Sequence, residues 1–316
     1  MKELNWIHMS DIHYNFENYD TQLMRDKTLS YLQSLKTKFQ FMVITGDIRY
    51  KGKAYTDDTI EFIRNIAENL NISINNVFVI PGNHDVKRSP KRELIIKGII
   101  SSEIPSDEIN KLDDETFNDL LIGQSEFFDF YKKLTGNDYK KENFHFVESR
   151  DGYNIIHINT CLISGFDGED EQRKLLIGQK KLREALKILD HDVFNVAIGH
   201  HSIECLDPKE QERLIHNLSD CQIDMYLSGH VHKPNATFDV NNENNLLLVS
   251  CGSGMCDDFS SVGLITGFIN METGDGKIAF HKWSQKLDKW IKDNEVLRNM
   301  IDNIKPIKIK KLEKKN

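Results

Sequence analysis

The sequence predicts an α/β fold on a mostly parallel or mixed sheet. Three observations carry that expectation. Short apolar runs bounded by turn residues alternate with segments of helical period. Clusters of Asp, Asn and His follow several of those runs. From Ala236 on, the apolar runs read as strand. In order, the pattern gives a strand at Trp6 to Met9 and an amphipathic helix from Thr21 to Lys38. A strand at Phe41 to Thr45, a helix from Asp57 to Asn69 and a strand at Val77 to Ile80 follow. After a long interval come a strand at Ile155 to Asn159, a helix from Gln179 to Leu189 and a strand at Val193 to Ile198. A helix from Lys209 to Leu218 and a strand at Ile223 to Ser228 complete the alternation. Leu246 to Val249, Leu264 to Ile269 and Lys277 to Trp283 then suggest a second, more antiparallel sheet.

Two stretches fall outside this rhythm. Residues 86–150 carry helix-spaced apolar groups, Phe117/Leu120/Leu121 and Phe127/Phe128/Tyr131, and read as a helical insertion, since a structureless loop of that length is unusual. From Gln285 to Ile304, the residues Leu287, Trp290, Ile291, Leu297, Ile301 and Ile304 fit a helical stripe, while Trp283 and Trp290 equally suit a hairpin.

Composition excludes several classes. With 316 residues, 39% hydrophobic and 28% charged, the chain can bury a core without disulfides or structural metal. The net charge is −8, and the stretch from Lys305 to Asn316 carries six Lys against one Glu. The body is therefore more acidic still and repels a long phosphate backbone unless bound cations change the local sign. No apolar run approaches a membrane span and the N-terminus has no leader pattern, so no membrane is expected and the cytoplasm is the default. The five Cys show no C-x-x-C pairing and read as buried thiols of a reducing compartment.

The chemistry sits at strand ends: Asp11-Ile-His13, Gly46-Asp47, Gly82-Asn83-His84-Asp85, Gly199-His200-His201 and Gly229-His230-Val231-His232. Open α/β sheets collect functional groups beyond the carboxyl ends of their strands. Residues two apart in an extended chain point the same way, which explains Asp-x-His and His-x-His. Carboxylate, amide and imidazole donors without Cys suit Mn²⁺, Fe or Zn²⁺. The set exceeds one tetrahedral site and matches two ions sharing a bridging carboxylate, the usual clamp on a phosphoryl group.

Taken in order, D-x-H, G-D, G-N-H-D, a lone H and G-H-x-H resemble the calcineurin-like metallophosphoesterase superfamily, over Trp6 to Trp283. The resemblance implies a four-layer α/β/β/α sandwich, here a domain at 1–284 with the insertion at 86–150, then an extension at 285–316 with a Lys-rich tail. It implies that Asp11, His13 and His232 bind one divalent ion, that Asn83, His200 and His230 bind the other, and that Asp47 bridges. Mn is the favoured metal. His84 would serve the leaving oxygen while a hydroxide held by the metals attacks phosphorus.

The flanking residues narrow the branch. Gly46-Asp-Ile-Arg-Tyr-Lys-Gly52 and Asp85 depart from the phosphoprotein phosphatases. Tyr50 matches a purple acid phosphatase position, but His13 is kept, so Tyr50 is expected at the pocket edge or in packing. The stretch Ile156 to Thr160, the following Gln179 helix and the His200-His201 doublet are similar to class III cyclic-nucleotide phosphodiesterases, although the Trp of that helix is absent. The expected activity is a phosphodiesterase for a nucleotide or other small phosphodiester. The alternatives are a nuclease, with Lys87, Arg88, Lys91 and Arg92 as its basic stripe, then a phosphomonoesterase, then a non-catalytic scaffold. A protein partner at the C-terminus is left open.

Overall fold

The computed structural model describes residues 2–164, 173–239, 246–296 and 304–313. The first strands are β1 (Glu3–Met9), β2 (Phe41–Ile44) and β3 (Val77–Val79), and the helices between them are α1 (Tyr19–Ser34) and α2 (Asp57–Asn69). Helices α3 (Pro90–Ile100), α4 (Pro105–Glu108), α5 (Asp114–Leu121) and α6 (Ser125–Thr135) fill most of the interval read as an insertion. Then come β4 (Phe146–Arg150), β5 (Tyr153–His157), α7 (Gln179–Leu186), β6 (Phe194–Ile198), α8 (Pro208–Asp220) and β7 (Met225–Ser228). The remaining strands are β8 (Asn235–Asp239), β9 (Leu246–Ser250), β10 (Gly263–Asn270), β11 (Asp275–Ser284), β12 (Lys289–Lys292) and β13 (Ile304–Lys308).

Two mixed sheets result. One runs β12-β11-β10-β1-β2-β3 with β13 also on β11; the other runs β4-β5-β6-β7-β9-β8. The expected second, antiparallel sheet is corrected here. The late strands divide, β8 and β9 joining the sheet of β5 to β7 while β10 to β13 extend the sheet of β1 to β3. Periodicity identifies a strand but not its partner, because pairing is decided by which face finds a core.

The layers follow from period two. Along β2, Phe41 and Val43 face the other sheet, packing with Phe194, Val196 and Met225, while Met42 and Ile44 face helices α1 and α2 through Met24, Leu32 and Ile63. On β5, Ile155 joins the inter-sheet core, and Ile156 packs outward on Leu182, Leu214 and Leu218 of α7 and α8. Helices thus flank both sheets, the four-layer order expected. The segment straddles the outer layers, and the helical reading of 86–150 is corrected at its end, where Phe146–Arg150 forms β4 and pairs with β5. Phe127, Phe130 and Leu134 of α6 pack with α1 and α2, whereas Ile96, Phe117 and Leu120 of α3 and α5 pack with α7 and α8.

After residue 284 the chain turns back as a hairpin, with Trp283 opposite Trp290, and β13 pairs with Asp275 to Ala279. The helical alternative fails at Trp290, which lies in β12; Leu297 and Ile301 fall outside the described residues. Lys308 pairs with Asp275 at 2.9 Å and Lys311 with Asp224 at 2.8 Å, so these tail lysines are engaged on the body. All five Cys are free thiols, four buried and Cys221 half-buried. Among the described residues no helix is long and apolar enough to cross a membrane.

Burial sets an acid limit on this fold. It lowers His145, His157 and His281 each to about 4. His145 is held by the carbonyl of Ile177, and His281 by Tyr31 and Thr266. A folded pKa below the unfolded value of about 6.5 contributes stability that is present above pH ~6.5 and lost as pH falls through about 4. Each shift is of the order of a few kcal/mol. The urea midpoint, measured in chelator to remove metal linkage, should therefore fall steeply between pH 6.5 and 4. A flat midpoint over that range would contradict the assignment.

Candidate metal centre

The centre forms where the parallel strands β1, β2, β3, β6 and β7 end. Asp11 and His13 follow β1, Asp47 follows β2, Asn83 and His84 follow β3, His200 follows β6, and His230 and His232 follow β7. All eight residues singled out from the sequence come together. Asp11, His13 and His232 bring ligand atoms within 4.8 Å of one another, and so do Asp11, Asp47 and His200. Asp47 stands between the groups, with Oδ2 3.7 Å from His13 Nε2 and Oδ1 3.5 Å from His200 Nε2. Asn83 Oδ1 is 2.9 Å from His200 Nε2, and the His200 and His230 rings lie 5.2 Å apart.

Backbone strain is concentrated here. Asp11, His13, Asp47, His230 and His232 all have left-handed φ, between +44° and +65°. Such residues cost about 1–3 kcal/mol each and persist only when their surroundings hold them. Cross-loop hydrogen bonds supply that hold: Asp11 N to Gly46 O at 3.0 Å, His13 N to Asp47 O at 2.9 Å, and His230 N to Asp11 Oδ2 at 3.0 Å. Arg25 of α1 donates to the carbonyls of Ile12, His13 and Tyr14. Buried Asp85 accepts from the backbone of Ile48, Arg49 and Gly82 and from Tyr55, tying the Asp47 loop to the Asn83 loop. Gly82 is required: a Cβ there would sit 2.1 Å from Asp47 Oδ1.

The imidazoles divide by tautomer. His13 Nδ1 donates to Arg49 O at 3.2 Å and His200 Nδ1 to Thr45 O at 2.7 Å, which leaves Nε2 of each as a lone pair turned to the centre. His13 Nε2 is buried and makes no hydrogen bond, as a ligand awaiting a cation would. His232 Nδ1 meets Ser260 Oγ at 2.8 Å while its Nε2 lies 3.1 Å from Asp11 Oδ1. His84 is reversed. Its Nδ1 accepts the N–H of Lys51 at 3.0 Å, so the neutral ring carries its proton on Nε2, which lies 3.9 Å from Asp47 Oδ2.

Charge supports the same division. Burial pushes His13 down to about 3, His84 down to about 4 and His200 well below its usual value, so these rings are neutral at pH 7. Burial alone would raise Asp11, but hydrogen bonding and attraction to His232 hold it well below the usual carboxylate range. Neutral imidazole, carboxylate and amide oxygen converging in one buried cluster form a donor set that fits divalent cations.

Other residues were less legible. Tyr50 packs edge-on to the His13 ring at 5.6 Å and against Phe16, at the rim. Buried His201 meets Thr160 Oγ1 at 2.8 Å and lies within the His200–His230 group. Arg49, Asp85, Arg25 and Ser260 were missed as supports of the centre. Only Asp85 carried a signal, as the last member of Gly-Asn-His-Asp. Arg49 donates to the carbonyls of His84 and Asp85 and ion-pairs with Glu126 of α6. The basic stripe proposed from sequence breaks up: Lys91 pairs with Asp119 at 2.6 Å, and Arg92 is buried, bonded to the carbonyls of Leu120 and Leu162.

Fold and site define one class of protein. The chain belongs to the calcineurin-like phosphoesterase family, whose model matches residues 4–234. An uncharacterized metallophosphoesterase-like protein, YydB of Bacillus subtilis (strain 168), is 36% identical over 98% of this chain, which spans 66% of that relative's length. Among solved structures, GAP50, the anchor in the inner membrane complex of Plasmodium, aligns over 98% of this chain and 89% of its own, with a TM-score of 0.50 and 14% identity. That likeness concerns the fold alone. The matches identify the family and do not single out its cyclic-nucleotide branch.

Proposed function

We propose that the chain is a metal-dependent phosphodiesterase for a small, nucleotide-like phosphodiester. The observation that carries this reading is the contrast of tautomers: lone pairs of His13 and His200 turned inward around Asp47, and the Nε2–H of His84 beside them. Asp11, His13 and His232 would hold one ion, Asn83, His200 and His230 a second, and Asp47 both. Two such ions, Mn²⁺ by preference, supply Lewis-acid stabilisation of phosphoryl charge and lower the pKa of water nearby. The remaining steps fall to the chain. His84, fixed by the Lys51 N–H, presents Nε2–H to the oxygen that leaves phosphorus, and its proton can follow the breaking bond. The strained loops hold the carboxylates in place before substrate arrives, so little reorganisation is needed.

Diester hydrolysis needs space for a second ester group. A cleft of about 630 Å³ continues from Asn83 and His84 to Arg88 and Glu126 and offers that space. The test is Mn²⁺-dependent hydrolysis of bis-p-nitrophenyl phosphate beside p-nitrophenyl phosphate. The diester should be favoured at least ~10-fold in kcat/KM, a difference of about 1.4 kcal/mol in transition-state binding. Preference for the monoester would make the chain a phosphomonoesterase, and no turnover of either by the metal-loaded protein would favour a scaffold.

A further inference from the structure

One guanidinium joins the two loops that hold His84. Arg49 follows Asp47 by two residues, and its side chain is 1% exposed. Its donors go to main-chain carbonyls. Nε donates to His84 O at 3.2 Å, Nη2 to Asp85 O at 2.9 Å and Nη1 to Lys53 O at 3.2 Å. Lys53 closes the turn that carries Lys51, with its own N–H on Tyr50 O at 3.1 Å. That turn supplies the Lys51 N–H that His84 Nδ1 accepts. Arg49 therefore grips both sides of the hydrogen bond that sets the His84 tautomer. A planar fork can span carbonyls in several directions, whereas an ammonium on a flexible stem cannot hold the same spacing.

The fork is held in turn by a helix that carries no metal-ligand motif. Glu126 of α6 ion-pairs with Arg49 Nη1 and also meets Lys87 at 3.2 Å. The guanidinium lies 4.8 Å over the Tyr55 ring, and that ring stacks on Phe130 of α6 at 4.5 Å. Glu126 and Phe130 are about one helical turn apart, so one face of α6 fixes Arg49 both by charge and through stacking. Burying a guanidinium costs desolvation that an ion pair offsets only in part, so the arrangement contributes geometry more than stability.

We propose that Arg49, held by Glu126, is a positioning residue that aligns the Nε2–H of His84 with the oxygen leaving phosphorus. The inference deepens the phosphodiesterase reading above and rests on the role given there to His84.

The test changes Glu126, which is half-exposed on α6, and leaves the residues of the centre in place. With Mn²⁺ bound, Glu126→Ala should lower kcat for the dinucleotide ApA by about 10- to 100-fold, as when a reacting group is misplaced by ~1 Å. KM and metal content should hold, with an unchanged thermal melt showing that the variant folds. The loss should be roughly 10-fold smaller with bis-p-nitrophenyl phosphate, whose leaving group departs without a proton. In the His84→Ala background, Glu126→Ala should add almost nothing, since both changes act through one imidazole. Nitrogen NMR of the Zn²⁺-loaded protein, diamagnetic where Mn²⁺ is not, reads the alignment without turnover. The His84 ring should show well-separated Nδ1 and Nε2–H signals, and Glu126→Ala should draw them together as the tautomers mix. Equal losses with the two substrates, losses that add in the double variant, or unchanged ring-nitrogen signals each overturn the proposal. Wild-type protein that hydrolyses neither diester defeats the phosphodiesterase reading instead, and the ring-nitrogen signals still decide whether Glu126 and Arg49 align His84.

Discussion

Asp47→Asn should strip metal from both halves of the centre at once. The change is isosteric at a buried position, and an Asn oxygen can still accept the backbone N–H of His84 that now meets Oδ1 at 2.8 Å. The loss is therefore one of charge and bridging, with the loop retained. Even outer partners of metal ligands cost ~10–100-fold in affinity when removed, so a shared ligand should cost at least that for each ion. With charge stabilisation worth several kcal/mol withdrawn from the phosphoryl group, kcat/KM should fall by about 10³ or more. Elemental analysis after dialysis against fixed Mn²⁺ checks the cause. Unchanged metal content would remove Asp47 from the bridging role, whatever the rate.

His84→Ala should behave in the opposite way, keeping both metals while kcat falls by about 10²–10⁴. The expectation follows from the Lys51 N–H on Nδ1, which gives His84 an N–H where a ligand would need a lone pair. The vacated N–H of Lys51 lies in an exposed turn and can be hydrated, so the fold should tolerate the change. The loss should be larger for an alkoxide leaving group than for p-nitrophenolate, which departs without a proton. Equal losses for both leaving groups, or loss of metal, would defeat the leaving-oxygen role.

These expectations were largely legible in the sequence, because each motif follows an apolar run and the carboxyl ends of parallel strands converge. Asp11, Asp47, Asn83, His200 and His230 could therefore be assembled without a structure. The supports could not. Arg25 lies on a helix with no sign that three carbonyls of the Asp11 loop wait beneath it, and Ser260 comes from a turn far along the chain. The run Lys87-Arg88-Ser-Pro-Lys-Arg92 looked like one basic stripe, but Ser89 caps α3 and Pro90 begins it. From there successive side chains turn about 100° apart, which sends Arg92 into the core. The late strands read correctly as strands, yet β9 and β10 belong to different sheets, since local pattern does not encode a partner.

The central claim is that the cluster around Asp47 holds two ions that share a ligand. Electron paramagnetic resonance of the metal-free protein titrated with Mn²⁺ tests it most directly. Two ions on one carboxylate lie close enough to couple, about 3.5–4 Å in such centres. The second equivalent should therefore replace the isolated-ion spectrum with a spin-coupled one, and Asp47→Asn should not show that change. Saturation at one equivalent, or two equivalents bound without coupling, would contradict the account.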